Sequence, residues 1–196
     1  MTDGAGDGAM RLFFAIWPDA KEQHALLAEA KRSLEATQWR GRWQDPNKLH
    51  LTLQFLGSLP CQLMAELMAA AGRLLSQGWP AARAASAQLR LDRLEYWPRS
   101  KVLCATASHQ EHVQALHERL APLQAQFGRA ADPQRFRAHV TVGRGESPAD
   151  LDALDPLQTV TWGMTRIALV RSVFVPMHAY VVLRQWQPGA PAGDPA

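Results

Sequence analysis

The chain carries the pattern His-x-Thr twice, in "HLTLQFLG" from His50 and in "HVTVGR" from His139. Each copy lies in a run of aliphatic and β-branched residues, which is typical of a β-strand. A single histidine in a strand is usually a structural residue. Two copies with the same threonine two positions later require a common explanation.

Strand geometry predicts two different faces for each copy, because successive side chains point to opposite sides of a sheet. On the first strand, the apolar face is expected to contain Leu51, Leu53 and Phe55. The polar face is expected to contain His50, Thr52 and Gln54. On the second strand, Val140 and Val142 oppose His139 and Thr141 in the same way. Helices would cover the apolar faces, and the two polar faces would line one cleft if the halves are related by pseudo-symmetry.

Hydrophobic periodicity and turn residues predict the remaining elements. Strands are predicted at 10–17, 49–56 (stopped by Gly57), 87–97, 101–108, 137–143, 160–172 and 178–186. Helices are predicted at 19–38, from Pro60 to about 75, and at 109–127. The strand–helix–strand order recurs in each half. We therefore expect an α+β fold with two pseudo-symmetric lobes of mostly antiparallel sheet, helices on the outer faces and a central cleft.

Composition and charge bound the class of protein. The 196 residues are 47% hydrophobic and 20% charged, as in an ordinary globular protein, and no run of 18 apolar residues occurs. Residues 10–187 are expected to form one domain between disordered tails at 1–9 and 188–196, which are rich in Gly, Pro and Ala. The first residues do not resemble a secretory signal, and the two cysteines imply no disulfide framework, so we expect a cytoplasmic location. A cleft duplicated within one chain favours a monomer, and the net charge of +3 would only mildly favour an anionic substrate.

A pair of histidines suits acid–base chemistry at phosphorus. With ordinary pKa values of about 6.5, one imidazole can accept a proton while the other donates one. The hydroxyls of Thr52 and Thr141 can donate hydrogen bonds to the non-bridging oxygens, as can the guanidinium of Arg144. Strict alternation places Arg144 on the apolar face, so its participation requires a bulge or the end of the strand. The alternative is a pair of unrelated core histidines.

The two motifs resemble the paired HxTx motifs of the 2H phosphoesterases. The segments "RLFFAIWP", "RWQDPNKLHLTLQFLG", "RFRAHVTVGR" and "LVRSVFVPMHAYVVL" are similar to the RNA 2′,3′-cyclic phosphodiesterase branch (LigT-like, first described as 2′-5′ RNA ligases). This resemblance implies His50 as general acid, His139 as general base, and Thr52 and Thr141 as phosphate-binding residues. It implies metal-independent hydrolysis of a 2′,3′-cyclic phosphate, on RNA ends or cyclic nucleotides, to a 2′-phosphomonoester, with no cofactor. Ala138, and Met177 with His178, depart from residues common in the family.

Other interpretations stay open at this point. The same site could act as a 2′-5′ phosphodiesterase or a 2′-5′ RNA ligase, or the cleft could bind nucleotides or RNA without catalysis. Among the aromatic residues, Phe13, Trp43 and Trp97 are candidates for stacking on a base, although core packing is the more common role. The spacing of His109, His112 and His117 on one helix does not bring the three side chains onto one face, so we expect solvated side chains and not a metal site.

Overall fold

The structure is a computed structural model that describes residues 8–37, 39–76, 88–128, 136–148, 157–164, 166–174 and 178–187. These residues form three α-helices and ten strands. The helices are α1 (Ala20–Ser33), α2 (Met64–Ser76) and α3 (Glu111–Phe127). The strands are β1 (Ala9–Ile16), β2 (Arg42–Trp43), β3 (Leu51–Pro60), β4 (Gln88–Leu91), β5 (Arg93–Trp97), β6 (Val102–Thr106), β7 (His139–Arg144), β8 (Val160–Gly163), β9 (Ile167–Val173) and β10 (Ala179–Trp186).

One large sheet organises the described chain. Its strand order is β10-β9-β1-β3-β7-β6-β5, with β2 added beside β7, and β4 and β8 form a separate two-stranded sheet. Every pairing is antiparallel. The α+β class with mostly antiparallel sheet is therefore confirmed, whereas the division into two lobes stays a prediction. The tails lie mostly outside the described residues, although Ala9 belongs to β1.

The helices cover one face of the large sheet and form the main core with it. Leucines of α1, α2 and α3 pack against inward-facing residues of the sheet, among them Leu12, Phe14, Leu51 and Val140. Asp19 caps α1: its side chain accepts from the Glu22 backbone N–H, and the Glu22 carboxylate accepts from the Asp19 N–H. The helix ends at Ser33, five residues before the predicted end. No helix in the described ranges is both long and apolar enough to cross a membrane.

Two predicted strands are each divided in the structure, because the chain moves from one sheet to the other. The predicted strand 87–97 breaks at Asp92, so that β4 joins the small sheet and β5 joins the large one. The predicted strand 160–172 breaks in the same way into β8 and β9.

The prediction that Gly57 stops its strand was wrong: Gly57 adopts φ +81 and β3 continues to Pro60.

Irregular pairing between β1 and β3 changes the faces predicted for β3. The register shifts between Phe14 and Ala15, whose partners are Gln54 and Thr52, so that Leu53 is an extra residue in β3. Gln54 consequently lies on the helix side, where it is 3% exposed and donates to the carbonyl of His117 in α3. Phe55 lies on the opposite side and is 42% exposed. The predicted placement of Leu51 and Leu53 in the core is confirmed, and that of Gln54 and Phe55 was wrong.

Candidate active site

A single antiparallel pair between β3 and β7 brings the two motifs together. Leu51 pairs with Val140, and both side chains are fully buried beneath the sheet. Because the strands run in opposite directions, this register matches His50 with Thr141 and Thr52 with His139 on the other face. Each histidine thus stands next to the threonine of the other motif.

These four side chains line one cavity of about 200 Å³. The remaining lining residues are Gln44, Lys48, Arg144 and Tyr180. The five site residues expected from sequence, including Arg144, therefore all face one cavity. The interpretation of the two histidines as unrelated core residues was wrong.

The two imidazoles are held by equivalent hydrogen bonds. Nδ1 of His50 donates to the carbonyl of Lys48 at 2.7 Å, and Nδ1 of His139 donates to the carbonyl of Arg137 at 2.8 Å. A carbonyl oxygen only accepts, so Nδ1 carries the proton in both rings. Nε2 is then the atom available for proton transfer. Each motif supplies its own orienting carbonyl two residues before the histidine.

Aromatic rings enclose His50. Its ring centroid lies 5.2 Å from Trp17 with the planes 8° apart, 5.0 Å from Phe13 and 4.8 Å from Tyr180, which meets it edge-on. Burial among these rings lowers the pKa of His50 to about 4, and the charges of His139 and His178 act in the same direction. The His50 imidazole is therefore neutral near pH 7 in the free protein.

His139 is supported by a charged network on the other side of the cavity. Its ring centroid lies 4.5 Å from Trp97, and the guanidinium of Arg137 lies 5.1 Å from the centroid of the same indole. Glu95 accepts hydrogen bonds from Arg137 at 2.6 Å and from Trp97 Nε1 at 3.1 Å. Burial, with a contribution from the Arg137 charge, lowers the pKa of His139. Burial alone would raise the pKa of Glu95, but these hydrogen bonds outweigh it and hold that pKa below its ordinary value.

A β-bulge brings Arg144 to the cavity. Leu103 on β6 pairs with Gly143, whereas the next residue, Cys104, pairs with Thr141, so Val142 is an extra residue in β7. The shift reverses the alternation beyond Val142 and returns Arg144 to the face of Thr141. The bulge that Arg144 needs in order to reach the cavity is thus present.

Three lining residues were not identified from sequence. Tyr180 comes from β10, Lys48 precedes the first motif, and Gln44 follows β2. Lys48 Nζ donates to the carbonyl of His178 at 2.8 Å and so ties the first motif to the start of β10. Lys48 could have been noticed from its position two residues before His50. No sequence signal places Tyr180 beside His50, because that contact depends on the order of strands in the sheet.

The structure places the candidate stacking residues and the histidines near α3 in different environments. Phe13 is 3% exposed and packs on His50, so its ring is part of the wall and not a free stacking surface. Trp43 pairs with Gly143 and meets Trp39 edge-on at 4.8 Å, on the helix side of the sheet. His109 and His112 are exposed as expected. His117 is not: Nδ1 donates to the Leu53 carbonyl at 2.7 Å and the ring stacks on Phe136.

This arrangement of two inward-facing His-x-Thr strands in an antiparallel sheet defines a 2H phosphoesterase. The model of the 2′-5′ RNA ligase superfamily matches residues 17–173, and the chain belongs to that superfamily.

Relatives and solved structures agree with this assignment. An RNA 2′,3′-cyclic phosphodiesterase of Thermus thermophilus is 30% identical over 189 residues, which cover 90% of this chain and 89% of the relative. The crystal structure of Escherichia coli LigT with 3′-AMP has a TM-score of 0.74 and 26% identity, covering 93% of this chain and 99% of that one. A further crystal structure from T. thermophilus has a TM-score of 0.72 and 29% identity, covering 91% and 97% of the two chains.

Proposed function

We propose that the protein hydrolyses terminal 2′,3′-cyclic phosphates of RNA to 2′-phosphomonoesters. The observation that carries this proposal is the pair of imidazoles that face one cavity with equivalent Nδ1 anchors. A cyclic phosphodiester needs one group to activate water and another to protonate the leaving oxygen. The name of the Thermus thermophilus relative agrees with this substrate.

The roles follow the family resemblance. Water attacks phosphorus while Nε2 of His139 accepts its proton. The P–O3′ bond breaks on the opposite side, and Nε2 of His50 donates a proton to O3′. The 2′-phosphomonoester remains and His139 releases its proton to solvent. His50 is left neutral and takes up a proton again when the next phosphate binds. The hydroxyls of Thr52 and Thr141 and the Arg144 guanidinium stabilise the charge on the non-bridging oxygens.

The lowered pKa values of both histidines place a condition on this mechanism. In the free protein, burial keeps both imidazoles neutral near pH 7. The general acid must therefore gain its proton when the anionic phosphate enters, because a nearby negative charge favours the imidazolium. A cavity lined by hydroxyls, Lys48 and Arg144 attracts that anion.

The reaction is proposed to need no metal ion. The described residues contain no group of three or more His, Cys, Asp or Glu side chains placed to hold one. Full activity after exhaustive treatment with EDTA is the expected result, and activity that returns only on adding a divalent cation would contradict it. A monomeric state and a cytoplasmic location stay predictions.

The test uses a short RNA ending in a 2′,3′-cyclic phosphate and follows the product by phosphorus NMR or by mobility. The wild-type protein is expected to leave a 2′-phosphate. His50→Ala and His139→Ala are each expected to lower kcat by about 10²-fold or more, as is typical for loss of a general acid or base. Thermal unfolding of both variants controls for folding. Ordinary turnover by either variant would contradict the assignment.

Two further substrates separate this activity from its alternatives. Initial rates on 2′-5′-linked dinucleotides are expected to be lower than those on cyclic phosphate ends. The opposite ranking would instead assign a 2′-5′ phosphodiesterase. Tight binding of a cyclic nucleotide without any hydrolysis between pH 5 and 8 would assign a binding module.

A further inference from the structure

An exposed cationic and aromatic patch continues from the active site along the same face of the sheet. It consists of Arg11, Phe55, Phe174 and His178, which we call the Arg11 patch. Arg11 on β1 pairs with Ser172 on β9, and Ser172 pairs with Tyr180 on β10. Directly paired residues share a face. Arg11 therefore lies on the same face as Tyr180, which lines the catalytic cavity.

The chemistry of the Arg11 patch is that of a site for single-stranded nucleic acid. The Arg11 guanidinium lies 4.7 Å from the ring centroid of Phe55 and 5.6 Å from that of Phe174. The two rings are 42% and 54% exposed, which makes them two of the most exposed large apolar side chains in the described structure. Arg11 is itself exposed, and no carboxylate of the described residues pairs with it. An exposed cation between two aromatic rings provides both a phosphate contact and stacking surfaces.

A continuous line of rings connects the patch to the catalytic histidine. His50 meets Tyr180 at 4.8 Å, Tyr180 meets His178 at 4.6 Å, and His178 stacks on Phe174 at 4.8 Å. The region is also electropositive: besides burial, the charges of Lys48, Arg144 and Arg11 lower the pKa of His178. A polyanion anchored by its terminal phosphate in the cavity would meet this surface next.

We propose that the Arg11 patch binds the penultimate nucleotide of an RNA strand, which precedes the nucleotide that carries the terminal cyclic phosphate. Arg11 contacts the phosphodiester that links the last two nucleotides, and the exposed part of the Phe174 or Phe55 ring packs against the penultimate base. This inference rests on the proposed function, since the cavity fixes where the strand ends. It makes the protein selective for RNA ends over free cyclic mononucleotides.

The test compares kcat/KM for a nucleoside 2′,3′-cyclic monophosphate with kcat/KM for a dinucleotide that ends in the same cyclic phosphate. Arg11→Met and Phe174→Ala are each expected to lower the dinucleotide value about tenfold, an ordinary effect of losing one phosphate or stacking contact. The mononucleotide value is expected to stay within about twofold, which also shows that the cavity is intact. Arg171→Met is the matched control, because Arg171 is exposed and pairs with Leu12 on the opposite face. For Arg11→Met, the slope of log(1/KM) against log[salt] on the dinucleotide should also become shallower by about 0.7.

Each outcome has a separate meaning. Wild-type turnover with an unchanged dinucleotide value in both variants would overturn this inference alone. An equal loss on both substrates would also overturn it, because the patch would then serve the terminal nucleotide or the fold. Wild-type protein that turns over neither substrate would overturn the proposed function itself, and this inference with it.

Discussion

The indole of Trp17 lies parallel to the imidazole of His50, with ring centroids 5.2 Å apart and planes 8° apart. Trp17 follows β1 and His50 precedes β3, so two neighbouring strands hold the stack. The contact limits the rotation of the imidazole and excludes water from one of its faces. Burial beneath the indole disfavours the charged imidazolium and so contributes to the lowered pKa of His50. Trp17 is therefore expected to set both the orientation and the proton affinity of His50.

Trp17→Leu tests this role. Loss of the stack admits water beside His50, so the pKa of His50 should rise from about 4 towards its ordinary 6.5. The rate should fall about tenfold, because the ring is no longer held in one orientation. NMR titration of the His50 ring protons and steady-state kinetics measure the two effects. Trp17→Phe keeps an aromatic face and should retain most of the rate; equal defects in both variants would point to loss of packing alone.

The pH profile follows from the lowered pKa values of His50 and His139. In the free protein, the combination of one protonated and one neutral imidazole is most populated between their two pKa values, both of which lie below 6.5. The profile of kcat/KM, which reports the free enzyme, should therefore reach its maximum below pH 6.5 and fall as the pH rises. Bound phosphate raises these pKa values, so the maximum of kcat should lie at higher pH. If kcat and kcat/KM reach their maxima at the same pH, bound phosphate does not raise the pKa values of the two histidines.

The same pKa makes stability depend on pH. The pKa of His50 is about 4 in the folded protein and ordinarily 6.5, so between these values the unfolded chain binds more protons. The stability that the neutral His50 contributes is fully present above pH 6.5 and is lost as the pH falls to 4. The free energy of unfolding is expected to drop by about 3 kcal/mol over this range. Urea unfolding of wild type and His50→Phe across this range measures the difference in slope. Parallel pH dependences would place the destabilising protonation at other groups.

The threonine hydroxyls are expected to act on the transition state. Thr52→Val and Thr141→Val keep the shape of each side chain but remove the donor to the phosphate oxygens. Each should lower kcat by about 10-fold to 10²-fold, with a smaller change in KM. Thr→Ser at the same position retains the hydroxyl and is the control. A change confined to KM would limit the threonines to ground-state binding.

The bulge at Val142 turns Arg144 towards the cavity, where we expect its guanidinium to contact the phosphate. Arg144→Met should weaken binding of the cyclic phosphate by about tenfold, because a charged hydrogen bond to the anion is lost. Arg144→Lys keeps the charge but loses the planar fork, and is expected to recover part of the affinity. Inhibition by inorganic phosphate provides a direct measure. Unchanged inhibition in Arg144→Met would mean that the side chain lines the cavity without contacting the anion.

The local sequence determined which side chains of the two His-x-Thr strands are buried, which face the cavity, and which functional groups they carry. The His-x-Thr strands, the buried Leu51 and Val140, and the three helices follow from periodicities that each segment contains by itself. The duplicated motif also indicated that both histidines face one cavity. These features depend on neighbours along the chain, so they are legible in the sequence.

Tertiary structure decided everything that depends on cross-strand partners. The extra residues Leu53 and Val142 exist only relative to β1 and β6, yet they turn Phe55 and Arg144 onto the catalytic face and Gln54 into the core. The contact between Tyr180 and His50 depends on the strand order β10-β9-β1-β3, which places β10 in the same sheet with two strands between it and β3. A bulge or a strand order is set by the combined packing of distant segments, and for that reason no single stretch of this sequence specifies it.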